Sequence, residues 1–253
     1  MAWAGRSRDA LALAEQGLAA NPSDDRLLFA RTVALRDGYE YGLALADVER
    51  LSRLRGEAKD VGVLQRTVEI LERPYVQFDL SGRHESDGIT VLASEVSFTQ
   101  PISEAWWMMT GGSAAHLTAR SGSAFGPIGG GSFMAEGGGW IGAQTRLAYG
   151  AIASARLGEA TSGKGGPRTT WQASLDNRSS DDFRLQLVNL RDFQIVSPRS
   201  LSLGITRIDT IAQVTYTPDL SWTVVGIGQE AELSDHNRLL RASLAPRHAV
   251  FQT

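Results

Sequence analysis

The chain has 253 residues, a formal net charge of −3 at pH 7 and no cysteine. The lack of cysteine excludes disulfides and thiolate metal sites, and the acidic balance with no concentrated basic stretch argues against a nucleic-acid partner. No apolar run reaches the ~18 residues of a membrane-spanning helix. This criterion does not detect the strands of a membrane barrel, because apolar and polar residues alternate in them. Because most of the 27 glycines follow Pro74, the composition divides the chain into residues 1–73 and 74–253.

Hydrophobic residues before Pro74 recur at helical spacing. The predicted helices cover residues 6–20, 25–35, 41–54 and 60–72. Asn21 and Pro22 end the first helix, and Ser23 or Asp24 can cap the second. The region therefore forms a small helical segment, with one helical hairpin following another.

After Pro74 the hydrophobic period changes from helical to twofold. Val76, Phe78 and Leu80 alternate with polar residues, and the segments 171–176 and 201–206 alternate in the same way. Clusters of Gly, Pro, Ser and Asp separate about ten such segments, and residues 207–210 are among the predicted turns. With no helix predicted between them, the strands should form a meandering antiparallel sheet.

Two segments, 96–112 and 214–228, repeat one pattern: VSFTQPISEAWWMMTGG and VTYTPDLSWTVVGIG. In both, a turn that contains proline comes directly before tryptophan. Trp106, Trp107 and Trp222 are therefore predicted to form a membrane-interface belt at one rim. Polar Ser-Asp loops near residues 82–90 and 230–240 would lie at the other rim. The alternative for the tryptophans is a platform on which sugars stack.

The polar positions of the alternating segments are predicted to line a lumen. They are Gln77, Asp79, Gln172, Ser174, Asp176, Arg184, Gln186, Ser202 and Thr206. This mixture of hydroxyls, amides and charges of both signs can hydrogen-bond a passing sugar chain without holding it. The predicted lining is neutral to polar overall.

No residue pattern predicts catalysis, a cofactor or a metal. The four histidines have no metal-ligand spacing, and no nucleophile lies beside a base. Small residues predominate in 137–142 and 148–155, where a packed soluble core would need bulk. A membrane barrel tolerates such positions better, although a soluble sandwich or solenoid is the alternative.

Ala10, Ala14, Gly17 and Pro22 lie at intervals that resemble those of tetratricopeptide repeats, with a generic helical bundle as the alternative. Such helices leading into strands that contain ASEVSFTQPISEAWW, VTYTPDLSW and ELSDHNRLLR resemble the outer-membrane exopolysaccharide export porins. That family includes the poly-N-acetylglucosamine export porin and the outer-membrane subunit of cellulose secretion.

The resemblance implies an α + β chain in separate domains. Residues 1–73 would form a periplasmic tetratricopeptide scaffold, and residues 74–253 an antiparallel up-and-down transmembrane barrel in the bacterial outer membrane. The implied function is export of a polysaccharide. The implied partners are that polymer, outer-membrane lipid, and periplasmic or inner-membrane secretion proteins that bind the helices. The alternative is an outer-membrane-anchored binding or adhesion module with no transport role.

The sequence also predicts a partial barrel. Residues 1–5 lack the features of a secretory signal, and Pro246 interrupts the last strand. We therefore expect the chain to be a piece of a larger barrel, with the first and last strands (75–80 and 239–251) unpaired.

Overall fold

The structure, a computed structural model, describes residues 6–56, 58–162, 166–178, 180–218 and 222–248. The helices are α1 (Ser7–Ala20), α2 (Asp25–Asp37), α3 (Tyr41–Arg55), α4 (Lys59–Glu72) and α5 (Pro198–Ser202). The strands are β1 (Tyr75–His84), β2 (Thr90–Ser103), β3 (Trp106–Thr118), β4 (Phe133–Ala148), β5 (Ala151–Ser162), β6 (Arg168–Asn177), β7 (Phe183–Phe193), β8 (Thr206–Tyr216), β9 (Trp222–Leu233) and β10 (Arg238–His248). No helix within these ranges combines the length and apolarity needed to span a bilayer.

Helices α1 to α4 lie within two residues of their predicted bounds and pack in sequence order. The side chain of Asp24 accepts hydrogen bonds from the backbone N–H groups of Arg26 and Leu27, both at 3.0 Å, and so caps α2. Leu28, Val48, Leu51 and Val68 are fully buried between the helices.

The strands form one antiparallel sheet in sequence order from β1 to β10, which confirms the predicted meander. Successive strands run in opposite directions. The turns 104–105 and 149–150, the end of β6 at Asn177 and the end of β8 at Tyr216 therefore lie at one end of the sheet, here called the short-turn end. The connections 85–89, 119–132, 194–205 and 234–237 and the end of β5 at Ser162 lie at the other end, here called the loop end. Strands β1 and β10 are the edges, and no ladder joins them in the described part of the chain.

The predicted rims agree with this arrangement. The turns after Pro101 and at Pro218 both lie at the short-turn end, whereas the two Ser-Asp loops lie at the loop end. Residues 219–221 of the second proline turn and residues 163–165 of the β5–β6 loop lie outside the described residues. Helix α4 ends at Glu72 and β1 begins at Tyr75, so the change from helix to strand falls at Pro74.

The prediction of strands without an intervening helix is wrong between β7 and β8. Pro198 occupies the start of α5, and Ser197 and Ser200 form a capping box in which each backbone N–H bonds the other's hydroxyl. Because these signals begin a helix, residues 201 and 202 are helical rather than part of an alternating strand. Strand β8 then starts at Thr206 and runs through residues 207–210, which were predicted to be a turn.

Candidate functional site

Strand alternation and register give the sheet two faces, because residues opposite each other in a ladder point to the same side. Asp79 lies opposite Glu95 and Glu95 opposite Ser113. These residues belong to the side that encloses a cavity, here called the cavity face. Phe78 and Val96 are also paired, and they belong to the opposite side, here called the apolar face.

The apolar face carries large hydrophobic side chains in contact with solvent. Ile141 is 69% exposed and its cross-strand partner Leu157 is 57% exposed. Other exposed members are Val76, Phe78, Leu80, Leu92, Val96, Ile102, Met108, Phe133, Leu147, Leu240 and Leu244. Exposed apolar surface that continues across neighbouring strands is rare on soluble monomers and marks a surface that meets another apolar medium or a partner.

Charged residues on the apolar face of the described strands are confined to the part near the loop end. They are Glu159, Arg191, Glu230, Glu232 and Arg238. Between them and the short-turn end, no described position on this face holds an Asp, Glu, Lys or Arg. The apolar face is therefore a band with a polar border on one side.

The cavity face holds a cavity of about 250 Å³. Its lining includes Asp79, Glu95, Glu136, Trp140, Arg156, Gln172 and Asp192. Arg156 Nη1 lies 2.7 Å from Glu95 Oε1, and the guanidinium carbon lies 4.9 Å from the centre of the Trp140 ring. One arginine is thus held by a carboxylate and a cation–π contact at the same time.

The indole of Trp140 lies across the neighbouring strands because those strands carry glycine beside it. Gly111 of β3 and Gly158 of β5 are its cross-strand partners. A Cβ on Gly111 would be 2.6 Å from the indole, and a Cβ on Gly158 would be 2.7 Å from the Cβ of Trp140. These glycines therefore make the space in which the tryptophan side chain fits.

A second polar cluster lies on the cavity face toward the short-turn end. Arg184 donates from Nε to Asp176 Oδ1 at 2.8 Å and also pairs through Nη2 with Asp176 Oδ2. Gln213 donates to Gln186 at 3.1 Å, and Gln186 donates to Asp176 at 3.4 Å. Tyr39, in the turn between α2 and α3, donates its hydroxyl to the same carboxylate at 3.4 Å. The cluster therefore links β6, β7, β8 and the helical segment.

Most of the predicted lining residues share the cavity face. Those on it are Gln77, Asp79, Gln172, Ser174, Asp176, Arg184 and Gln186. Two are elsewhere, which corrects the prediction. Ser202 belongs to α5, where its hydroxyl donates to the Arg199 carbonyl at 2.8 Å. Thr206 begins β8 one residue out of phase with Arg207 and Asp209, so the alternation assigns it to the other face.

Trp106 and Trp222 lie at the same end of the sheet, because each begins a strand at the short-turn end. Both belong to the apolar face, and they are 51% and 47% exposed. Trp107 is only 3% exposed, and its ring centre lies 6.0 Å from that of Tyr41 in α3. Its assignment to the belt is wrong because successive residues of a strand point to opposite faces.

The helical segment is fixed to the short-turn end by the turn between α2 and α3. Tyr149, in the β4–β5 turn, donates its hydroxyl to the Ala34 carbonyl at 2.8 Å. Burial raises the pKa of this phenol, so it remains a neutral donor. Arg146 Nη1 lies 2.7 Å from Glu40 Oε2 and donates to the Tyr39 carbonyl at 3.1 Å. Burial, and then the charge of Asp176, raises the pKa of Tyr39 as well.

The start of α1 is fixed to the turn between β6 and β7. Asp181 accepts the backbone N–H groups of Arg8 and Asp9 at 2.9 and 2.8 Å, and Arg6 pairs with Asp182 at 2.9 Å. The Arg8 guanidinium donates to the carbonyls of Tyr149 and Arg178. Asp181 thus replaces a side-chain cap that α1 lacks, and Asp182 adds an ion pair beside it.

The loop end of the cavity face is covered by α5. Leu201 is fully buried in a core with Val91, Leu117 and Met134. Its carbonyl accepts the Ser162 hydroxyl at 3.0 Å. The β3–β4 loop also contacts α5, since its residue 128 donates N–H to Ser202 Oγ at 3.1 Å. Folded chain therefore covers the cavity face at both ends.

Of the cavity residues, Asp79 and Gln172 were predicted from the sequence, whereas Glu95, Glu136, Trp140, Arg156 and Asp192 were not predicted as lining residues. Glu95, Glu136 and Arg156 do alternate with apolar neighbours in their strands, so continuing the twofold pattern through β2, β4 and β5 would have placed them on the polar face. To predict the ion pair between Glu95 and Arg156, one would also need the register of the strands, because the two residues are 61 positions apart in the chain.

No protein-family model and no curated protein matches the chain. A solved structure described as the KdgM porin in complex with disordered oligogalacturonate is similar with 10% sequence identity and a TM-score of 0.37. The match covers 70% of this chain and 97% of that one. A TM-score of this size does not define a shared fold, so the geometry described above is the basis for function.

Proposed function

We propose that this chain forms part of the wall of an outer-membrane channel that exports a polysaccharide. The observation that carries the proposal is the uncharged apolar band, with Ile141 and Leu157 at its centre and exposed tryptophans at the short-turn end. In water such a band would be unfavourable, whereas an outer-membrane barrel needs an outward apolar surface bordered by aromatic residues.

The cavity face supports the channel part of the proposal. Its amides, hydroxyls and paired charges, such as Glu95 with Arg156 and Asp176 with Arg184, can exchange hydrogen bonds with the hydroxyl groups of a sugar chain. A lining of this kind favours passage over tight retention. In this proposal the protein acts as a channel, not as an enzyme, and needs no cofactor.

The orientation follows from the two ends of the sheet. Outer-membrane barrels have short periplasmic turns and longer extracellular loops, so the short-turn end and helices α1 to α4 would lie in the periplasm. There the helices, which resemble tetratricopeptide repeats, would bind other proteins of the secretion system. Because a bilayer does not tolerate an unpaired strand, the proposal also requires that β1 and β10 acquire hydrogen-bonding partners in the membrane.

Replacing Ile141 with arginine tests whether the apolar face meets lipid. Arginine on the lipid side of a barrel strand costs about 2–4 kcal/mol near the middle of the bilayer. We therefore expect Ile141→Arg to reduce the fraction of membrane-extracted protein that migrates as a folded, heat-modifiable band on SDS gels. In water the same substitution at a 69% exposed side chain would change stability little.

Leu13→Arg is the matched control, because Leu13 is 52% exposed on α1, away from the sheet. It should leave the folded band unchanged. Equal behaviour of the two variants would contradict a lipid-facing sheet.

Transport is tested separately in liposomes that contain the full chain. We expect them to pass neutral oligosaccharides, measured by liposome swelling. If the protein inserts and gives the folded band but passes no oligosaccharide, the channel is excluded and an outer-membrane-anchored binding module accounts better for the fold.

A further inference from the structure

Glu136 is a buried carboxylate with no partner of opposite charge. Its side chain lines the cavity and the residue is only 4% exposed. In the register it lies opposite Ala115 of β3 and Ser162 of β5, and Ser162 gives its hydroxyl to the Leu201 carbonyl. Among the described residues, the carboxylate of Glu136 takes part in no hydrogen bond or ion pair. An ionised group in this position is unfavourable unless something positive joins it.

The surroundings of Glu136 make the need for a positive partner greater. Asp192, across the cavity, is close enough for its charge to repel that of Glu136. The nearby cations of the cavity face are already engaged, Arg156 by Glu95 and the Trp140 ring and Arg207 by Asp209. Among the lining residues whose side chains belong to the cavity face, Asp79, Glu95, Glu136 and Asp192 are acidic and Arg156 is basic. The cavity therefore has an excess of negative charge.

The site around Glu136 does not meet the requirements of a coordinated metal ion. Within the described chain, no three histidine or acidic side chains come together in a way that could hold a metal. Hard cations such as Ca²⁺ take six to eight oxygen ligands, far more than this pair of carboxylates offers. A cation that is held by charge and by hydrogen-bond donors of its own fits better.

We propose that the cavity is a binding site for an ammonium group on a small hydroxylated molecule, with Glu136 as its main partner and Asp192 as the second carboxylate. The ammonium group donates to Glu136, and the hydroxyl groups of the ligand reach Gln172 and the Glu95–Arg156 pair on the same wall. A cavity of about 250 Å³ holds a molecule the size of one sugar unit. This inference deepens the proposed function, since it assigns a substrate class to the channel wall, but binding can be measured without transport.

Equilibrium dialysis of the full chain, folded in detergent, tests the site with two probes that differ in one group. The probes are glucamine, a sugar alcohol with a primary amine, and sorbitol, which lacks that amine. At mildly alkaline pH the alkyl amine stays protonated and the carboxylates are ionised. We expect glucamine to bind and sorbitol to bind at least ten-fold more weakly, because a hydrogen bond between charged groups accounts for roughly a ten- to hundred-fold difference in affinity.

Glu136→Gln should weaken glucamine binding about ten-fold or more, and Asp192→Asn should weaken it less. The control is Glu230→Gln, which removes an exposed carboxylate from the apolar face and should leave binding unchanged. Far-UV circular dichroism in the same detergent shows whether each variant is folded. If Glu136→Gln does not fold, Asp192→Asn carries the test.

Three results would overturn the proposal. They are equal binding of the two probes, equal affinity in the Glu136→Gln and Glu230→Gln variants, and displacement of glucamine by an equal concentration of K⁺, which would show a site for any small cation. None of these results depends on the sheet facing lipid, so they are distinct from the outcome of Ile141→Arg.

Discussion

Gly158→Val is expected to remove the folded, heat-modifiable form of the protein. A Cβ at this position would lie 2.4 Å from the Gly139 carbonyl oxygen and 2.7 Å from the Cβ of Trp140. Both atoms belong to the rigid part of the adjacent strand, so neither can move without displacing the β4–β5 ladder. Forcing extra side-chain volume into such a site costs about 1–3 kcal/mol and occasionally more, and the two branches of valine place this case at the upper end.

Gly228→Val is the matched control. This glycine lies within β9, and a Cβ on it would have no neighbour within 4 Å. Valine is a better strand residue than glycine in both places, so strand propensity alone predicts stabilisation of both variants. We expect the Gly228 variant to keep the folded band and the urea midpoint of the unsubstituted protein. The Gly158 variant should lack the folded band. The same change in both would show that the contact around Trp140 does not matter for stability.

Gly38→Ala is expected to separate the helical segment from the sheet. A Cβ on Gly38 would lie 2.1 Å from the ring of Tyr149. That ring cannot turn away easily, because its hydroxyl bonds the Ala34 carbonyl and Arg8 lies 4.9 Å from the ring centre. The backbone of Gly38 has φ −88°, which alanine adopts without strain, so the collision is the whole effect. Limited proteolysis near residue 74 should then become several-fold faster.

A double-mutant cycle with Tyr149→Ala separates this collision from a general weakening of the turn. Tyr149→Ala alone should loosen the contact, because it removes the hydrogen bond to the Ala34 carbonyl and the ring beside Arg8. In that background Gly38→Ala should have almost no further effect, which corresponds to a coupling free energy of roughly 1–3 kcal/mol. Additive effects of the two substitutions on the proteolysis rate would contradict the observed packing.

The sequence was most informative wherever one hydrophobic period continued over a whole element. Helices α1 to α4 and the alternation in β1, β6 and β7 were predicted correctly for this reason, and with them the shared face of Gln77, Asp79 and Gln172. The prediction failed near α5, because the spacing of Leu201, Leu203 and Ile205 fits a strand, while Pro198 and the Ser197–Ser200 capping box begin a helix there.

Contacts between distant segments could not be predicted from local patterns. Asp181 and Asp182 are typical of a turn, and nothing near them in the sequence indicates that they bind the start of α1. Similarly, the partners of Arg156 depend on the register of the four strands β2 to β5, which sequence periodicity leaves undetermined. The binding hypothesis for Glu136 therefore became possible only when burial and the absence of a partner among the described residues were known.

The attachment of α1 to Asp181 has a consequence for the order in which the protein assembles. The first turn of α1 emerges early in synthesis, but the carboxylate that accepts the N–H groups of Arg8 and Asp9 is more than 170 positions later in the chain. Contacts this distant in sequence form slowly, since a large part of the chain must first be ordered. We therefore expect α1 to remain frayed at its start until the β6–β7 turn exists. Hydrogen exchange at Arg8 and Asp9 would then report formation of the β6–β7 turn, although both residues lie outside the sheet.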